Sequence, residues 1–211
     1  MPMTIAILGA GNVGAALGAN WSGKGYAIRF GVRKPDDAKY AALKKDGVTF
    51  HTMADAVSTA DAVVLATPWP ETEGIVKSLE GLQGKIILDC TNPLRFADGA
   101  LGLSEGFSTS GGEMVAAWAP QASVFKTLNQ TGAANMVSPA YASGKPVMFV
   151  AGDDEARKSL VIKMVSDLGF DAIDAGGLMV SRYLEPLAML WIHMAVNLQR
   201  GTDFAFALLK R

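Results

Sequence analysis

Gly9, Gly11 and Gly14 stand at the spacing G-x-G-x-x-G directly after the apolar run Thr4-Ile5-Ala6-Ile7-Leu8 and open the alanine-rich stretch Ala15–Asn20. A strand that turns through glycines into a helix suits a pyrophosphate. Gly9 permits the tight turn, Gly11 lets the backbone approach the anion, and Gly14 lets helix and strand pack closely. The helix start adds unpaired N–H donors and the positive end of its dipole. The ligand implied for Gly9-Ala10-Gly11-Asn12-Val13-Gly14 is a dinucleotide.

The end of the second strand selects among dinucleotides. Units that bind NAD usually carry Asp or Glu there, about 20 residues on, to accept the ribose 2′-hydroxyl. Here Tyr26-Ala27-Ile28-Arg29-Phe30 runs into Gly31-Val32-Arg33-Lys34. A guanidinium can hold a 2′-phosphate in bidentate fashion where a carboxylate would repel it. NADP(H) is expected in preference to NAD(H), with Arg33 and Lys34 at the phosphate.

In a doubly wound sheet the ligand lies beyond the carboxyl ends of the strands. Thr67-Pro68-Trp69, Thr91-Asn92-Pro93 and Asn129-Gln130-Thr131 each follow a strand-like run, so they are expected to meet at the nicotinamide half. Thr67, Pro68, Trp69, Asn92, Asn129 and Gln130 are the candidate lining residues. They offer hydrogen bonds and surface but no titrating group, and no catalytic residue is assigned.

Other reactive side chains read as structural. Cys90 lies within a strand as a small buried hydrophobe, and His51 and His193 lack a triad-like context. Tyr141 and Lys145 have a Tyr-x-x-x-Lys spacing, but Pro139, Gly144 and Pro146 oppose the helix that would align them. Asp153 or Asp154 can cap the helix that follows. Arg182 and Glu185, one turn apart, are expected to pair with each other.

Alternating apolar runs and helical stretches position these groups. Strands are expected at Val48–His51, Ala62–Ala66, Lys85–Cys90, Ser123–Leu128 and Pro146–Ala151, with an edge strand at Ala172–Asp174. The fully apolar Ala62-Val63-Val64-Leu65-Ala66 suits a parallel strand covered on both faces. Helical stretches fall within Asp36–Asp46, Met53–Thr59, Glu71 to about Leu82, Glu113–Trp118 and Glu155–Leu168. Phe96–Gly112 reads as a long surface loop. Beyond Gly177 the pattern is helical to Arg211, with Pro186 starting or kinking a segment. The expected architecture is α/β: a Rossmann, doubly wound, mainly parallel sheet over residues 1–176. A C-terminal helical segment, 177–211, would complete the acceptor pocket and a homodimer interface.

Composition narrows the partners. Nineteen basic and twenty acidic residues give a formal charge of −1 with no basic block, which argues against nucleic acid. One cysteine and no metal-ligand spacing of Cys or His leave neither a disulfide nor a metal site, as suits a reducing cytoplasm. Leu187–Leu198 is too short to span a bilayer and contains His193 and Asn197, and glycines break the N-terminus where an export signal would need a long apolar stretch. No membrane contact is expected.

With these segments placed, the chain resembles, over nearly its full length, the NADPH-dependent reductases of the deazaflavin coenzyme F420. That family is itself similar to the reductase domain of the Steap metalloreductases. The resemblance rests on Ile7-Leu8-Gly9-Ala10-Gly11-Asn12-Val13-Gly14, on Gly31-Val32-Arg33 and on Thr67-Pro68-Trp69. It rests above all on Ala151-Gly152-Asp153-Asp154-Glu155 through Asp174-Ala175-Gly176 to Ser181-Arg182-Tyr183-Leu184-Glu185. It implies direct hydride transfer between NADPH and a ring stacked over the nicotinamide, chemistry that needs orientation more than acid or base. By the same likeness Gly31 and Arg33 match the 2′-phosphate loop, where Ser-Arg is usual. Archaeal members carry a His-Thr-Ile-Pro-like segment where this chain has Asn129-Gln130-Thr131-Gly132. The acceptor therefore stays open among a deazaflavin, another flavin, a quinone-like, carbonyl or imine compound and a metal chelate. A module that senses NADP(H) without turnover is the alternative from another class.

Overall fold

Alternate residues of the central strands bury into two different cores. In β1 (Thr4–Leu8), Ile5 and Ile7 join one apolar cluster while Ala6 and Leu8 join another. The same division runs through β4 (Ala62–Leu65) and β5 (Ile86–Asp89), so helices cover both faces of the sheet. The computed structural model describes residues 2–97, 99–209 and 211.

The remaining strands of the main sheet are β2 (Ala27–Gly31), β3 (Val48–His51), and, numbered past a separate hairpin of β6 (Leu94–Ala97) and β7 (Ala100–Leu103), β8 (Ser123–Lys126), β9 (Val147–Gly152) and β10 (Asp171–Gly176). Among the described residues the main sheet has the order β10-β9-β8-β5-β4-β1-β2-β3, every pair parallel except β8 with β9. The order reverses between β1 and β4, and the crevice at that switch point is where such sheets take ligands. This is the expected Rossmann, doubly wound, mainly parallel architecture.

Helices α1 (Asn12–Ser22), α2 (Met53–Ser58), α3 (Trp69–Ser78), α4 (Gly111–Trp118), α5 (Ala133–Val137), α6 (Glu155–Asp167) and α7 (Ser181–Ile192) follow the chain. Thr52, Ser110 and Asp154 cap α2, α4 and α6 with side-chain oxygens. Asp153, the other cap candidate, instead accepts the Leu178 N–H at 2.8 Å. No helix is long and apolar enough to cross a membrane among the described residues.

Two expectations are corrected. Within the stretch read as a loop, β7 pairs antiparallel with β6, joining Leu94 to Leu103 and Phe96 to Leu101. The helical pattern does not reach Arg211, because after α7 and a π turn, His193–Asn197, left-handed Gln199 and Gly201 turn the chain. The tail's carbonyls then serve other elements: Phe204 O accepts the Trp191 Nε1–H at 3.1 Å, and Phe206 O accepts the Val147 N–H at 2.9 Å. Pro186, expected to start or kink a segment, lies inside α7.

Candidate active site

Two adjoining cavities occupy the switch point. One, of about 540 Å³, is lined by Gly9, Ala10, Gly11, Gly31, Val32, Arg33 and Lys34 on one side and by Thr67, Pro68 and Glu71 on the other. The second, of about 520 Å³, shares Gly9, Gly11, Thr67 and Pro68 and continues past Asn12, Val13, Trp69, Cys90, Thr91, Asn92 and Leu94. Together they form a trough from the end of β2, over the glycine turn, to the end of β5.

The glycines of the turn have different reasons to be glycine. A Cβ on Gly9 would stand 2.6 Å from Ala66 O, and one on Gly14 would stand 2.0 Å from Gly9 O. Packing within the chain requires both. A Cβ on Gly11 would meet no protein atom within 4 Å, and its φ of −76° is open to any residue. Nothing in the protein needs a glycine there, and the space is the trough itself. The first turn of α1 has neither a side-chain cap nor an acidic residue, so its N–H groups face the trough unpaired by side chains.

At the β2 end, Val32 is buried and its N–H bonds His51 O at 2.9 Å, which leaves Arg33 to project from a fixed strand end. The Arg33 guanidinium forms an ion pair with Glu71 in the first turn of α3. Lys39 lies 5.0 Å over the Tyr40 ring nearby. At the other end Trp69 both lines the trough and packs on Trp118 at 5.4 Å between ring centroids. Burial pushes the Cys90 thiol far above its ordinary pKa and keeps it protonated and inert, as expected for a small buried hydrophobe.

Asn92 reaches the trough, but Asn129 and Gln130 line neither cavity. Leu128 has a left-handed φ of 59°, and the residues after it are buried with their amides engaged. Asn129 Nδ2 donates to Asn92 Oδ1 at 3.0 Å, and Asn92 Nδ2 donates back to Asn129 O at 3.0 Å. Gln130 exchanges two bonds with the backbone of Phe149, at 3.0 Å and 3.2 Å. These two residues hold Asn92 and β9; they do not form the wall.

The expected pairing of Arg182 with Glu185 is also overturned. Arg182 makes a bidentate pair with Glu113, at 2.8 Å and 2.6 Å. Glu185 is buried against Lys126 Nζ at 2.8 Å and accepts the N–H groups of Gly111 and Gly112 at 3.0 Å each. Lys126 also reaches Asp89 at 2.9 Å and Thr91 O at 2.7 Å. This buried ionic cluster lies beneath the Thr91-Asn92 wall and bolts α7 and α4 to the ends of β5 and β8. Neither Lys126 nor Asp89 stood out in the sequence. The available signal was a charged residue ending each of two apolar strands.

His51 bonds Thr49 Oγ1 at 2.8 Å, and Tyr141 donates to Asn135 Oδ1 at 2.6 Å without a helix linking it to Lys145. Among the described residues no cluster of His, Cys, Asp and Glu could hold a metal ion.

Residues 4–93 match the family model described as NADP oxidoreductase coenzyme F420-dependent. The F420-dependent NADP reductase of Methanocaldococcus jannaschii is 32% identical over 221 residues, covering 95% of this chain and 96% of that protein. Metalloreductase STEAP3 of Rattus norvegicus is 27% identical over 191 residues, covering 88% of this chain but 37% of that longer protein. A solved structure from Arthrobacter sp. FB24, described as a candidate F420-dependent NADP-reductase, matches with a TM-score of 0.89 at 30% identity, covering 99% of this chain and 100% of that one.

Proposed function

The chain belongs to the family of coenzyme F420-dependent NADP oxidoreductases, and on that premise we propose that it moves hydride between NADP(H) lying in the trough and a deazaflavin- or flavin-like ring stacked on the nicotinamide. The observation that carries the reading is Gly11. Its missing side chain is explained by no neighbour in the protein and opens onto uncapped N–H donors, an arrangement suited to a diphosphate. In this reading the backbone of Gly9-Ala10-Gly11-Asn12-Val13-Gly14 takes the diphosphate. Arg33 and Lys34, beside Gly31, take the 2′-phosphate, and Thr67, Pro68, Trp69 and Asn92 orient the nicotinamide.

Bound in this way, NADPH supplies a hydride with its two electrons. The chain's own part is to orient. Asn129 locks the Asn92 amide, and Trp69, pinned on Trp118, gives a fixed wall. Among the described residues lining the nicotinamide end, none is Tyr, His, Lys, Asp or Glu. That favours transfer to a ring that takes its proton from water over reduction of a carbonyl or imine, which needs a placed donor.

The hairpin supports the acceptor side. Leu94 lines the trough, and strand alternation with the β6–β7 register puts Phe96, Leu101 and Leu103 on its face. Phe96, 72% exposed, offers an aromatic surface at the mouth. A second copy of the chain would cover Met179, Tyr183, Leu190 and Val196, which are exposed on α7 and its flanking turns. Sedimentation of the purified protein tests that dimer.

The deciding assay follows anaerobic NADPH oxidation with a deazaflavin, FMN, a naphthoquinone, a ferric chelate and a cyclic imine side by side. The expected outcome is one-to-one consumption of NADPH with the deazaflavin or FMN. Turnover confined to the other acceptors would overturn the ring, and tight NADPH binding with negligible turnover of all five would make the chain a sensing module.

A further inference from the structure

Arg33 and Glu71 meet across the mouth of the trough. Arg33 follows β2 and Glu71 opens α3 after β4, and β2 and β4 flank β1 on either side, so the ion pair spans the ground above the glycine turn. Both side chains line the same cavity, with exposures of 74% and 43%. We propose that Glu71 is an internal competitor for the 2′-phosphate: its carboxylate occupies the Arg33 guanidinium in the free protein and must give it up when NADP(H) binds. The proposal rests on the reading of Arg33 as the 2′-phosphate site.

The chemistry is that of one fork and two anions. A guanidinium presents planar N–H pairs that suit carboxylate and phosphate equally. The Arg33–Glu71 pair lies in water, where such pairs add little to stability and part readily. A phosphate arriving beside Arg33 also meets the Glu71 charge at close range, so the carboxylate opposes it twice, by holding its partner and by repulsion. NADH has no 2′-phosphate and makes no claim on the guanidinium. Glu71 therefore lowers the affinity for NADP(H) without lowering that for NAD(H), and it tunes the selectivity that Arg33 creates. Lys39, which lines the same cavity, is paired with Asp37 and stacked on Tyr40.

Calorimetric titration of NADPH and NADH into the wild type, Glu71→Gln, Arg33→Ala and the double variant tests this. Glu71→Gln is expected to bind NADPH roughly two- to fivefold more tightly, with NADH unchanged. The gain should be smaller when Glu71→Gln is added to Arg33→Ala, because only the relief of repulsion is left, and it should shrink in high salt. Unchanged or weaker NADPH binding in Glu71→Gln, with selectivity lost in Arg33→Ala, would overturn the competitor and leave the phosphate site standing. Selectivity preserved in Arg33→Ala would overturn the competitor, and selectivity preserved also in Arg33→Ala/Lys34→Ala would overturn the phosphate site.

Discussion

Lys126 Nζ lies 2.8 Å from Glu185 Oε1 and 2.9 Å from Asp89 Oδ2, with all three side chains at 1% exposure or less. Burial works against the ammonium, but the two carboxylates outweigh it and hold the Lys126 pKa above the ordinary lysine value. The Gly111, Gly112 and Thr91 N–H groups satisfy the remaining carboxylate charge. Because the folded value is raised, this contribution is complete below the unfolded lysine value and is lost only as pH climbs through the folded one. Lys126→Met should cost about 3–5 kcal/mol, since it strands two buried carboxylates. Urea unfolding near neutral pH measures it, and Lys126→Met/Glu185→Met should recover part of the loss.

Gly11 and Gly14 separate binding from folding. Gly11→Ala puts a methyl into open trough with an ordinary φ, so unfolding free energy should change by less than about 1 kcal/mol while NADPH binding falls. Gly14→Ala drives a Cβ onto Gly9 O and should destabilise the fold by about 1–3 kcal/mol. Thermal melts and calorimetric titration on the two variants give the comparison. A Gly11→Ala protein with full NADPH affinity would remove the diphosphate from this turn.

Local pattern carried the sheet, the glycine turn and the Arg33 end, because each is written in consecutive residues. What escaped was long-range. The ion-pair partners of Lys126 lie on β5 and α7, and single-strand periodicity cannot name them. Arg182 and Glu185 are neighbours on a helix surface, yet each found a better partner across an interface. Asn129 and Gln130 follow a strand as pocket residues do, but the left-handed turn at Leu128 sends them inward. The hairpin was legible, since Leu94-Arg95-Phe96-Ala97 precedes an Asp-Gly pair, a strong hairpin signal, and the glycine count of the segment obscured it.

The Glu113–Arg182 pair gives a pH signature. Bonds from the Arg182 guanidinium hold the Glu113 carboxyl below the ordinary glutamate range. A depressed carboxylate contributes stability above its unfolded value, near 4.3, and loses that contribution as pH falls through the lower folded value. The stability gap between wild type and Arg182→Ala should be constant above about pH 5.5 and close below about pH 4. Urea melts from acid to neutral pH read this directly, and a gap that widened on acidification would contradict the pairing.

Phe96 tests the acceptor side without endangering the fold. It is 72% exposed, and its cross-strand partner Leu101 stays half-buried, so Phe96→Ala should shift stability by less than about 1 kcal/mol. If its ring borders the stacked acceptor, the variant should raise the acceptor KM several-fold and leave NADPH affinity alone. An effect on kcat with KM unchanged would instead mean that the hairpin orients the bound ring, and no effect on either would move the acceptor off this face. Phe96→Trp keeps the aromatic surface and should restore KM, an outcome that loss of hairpin order would not produce.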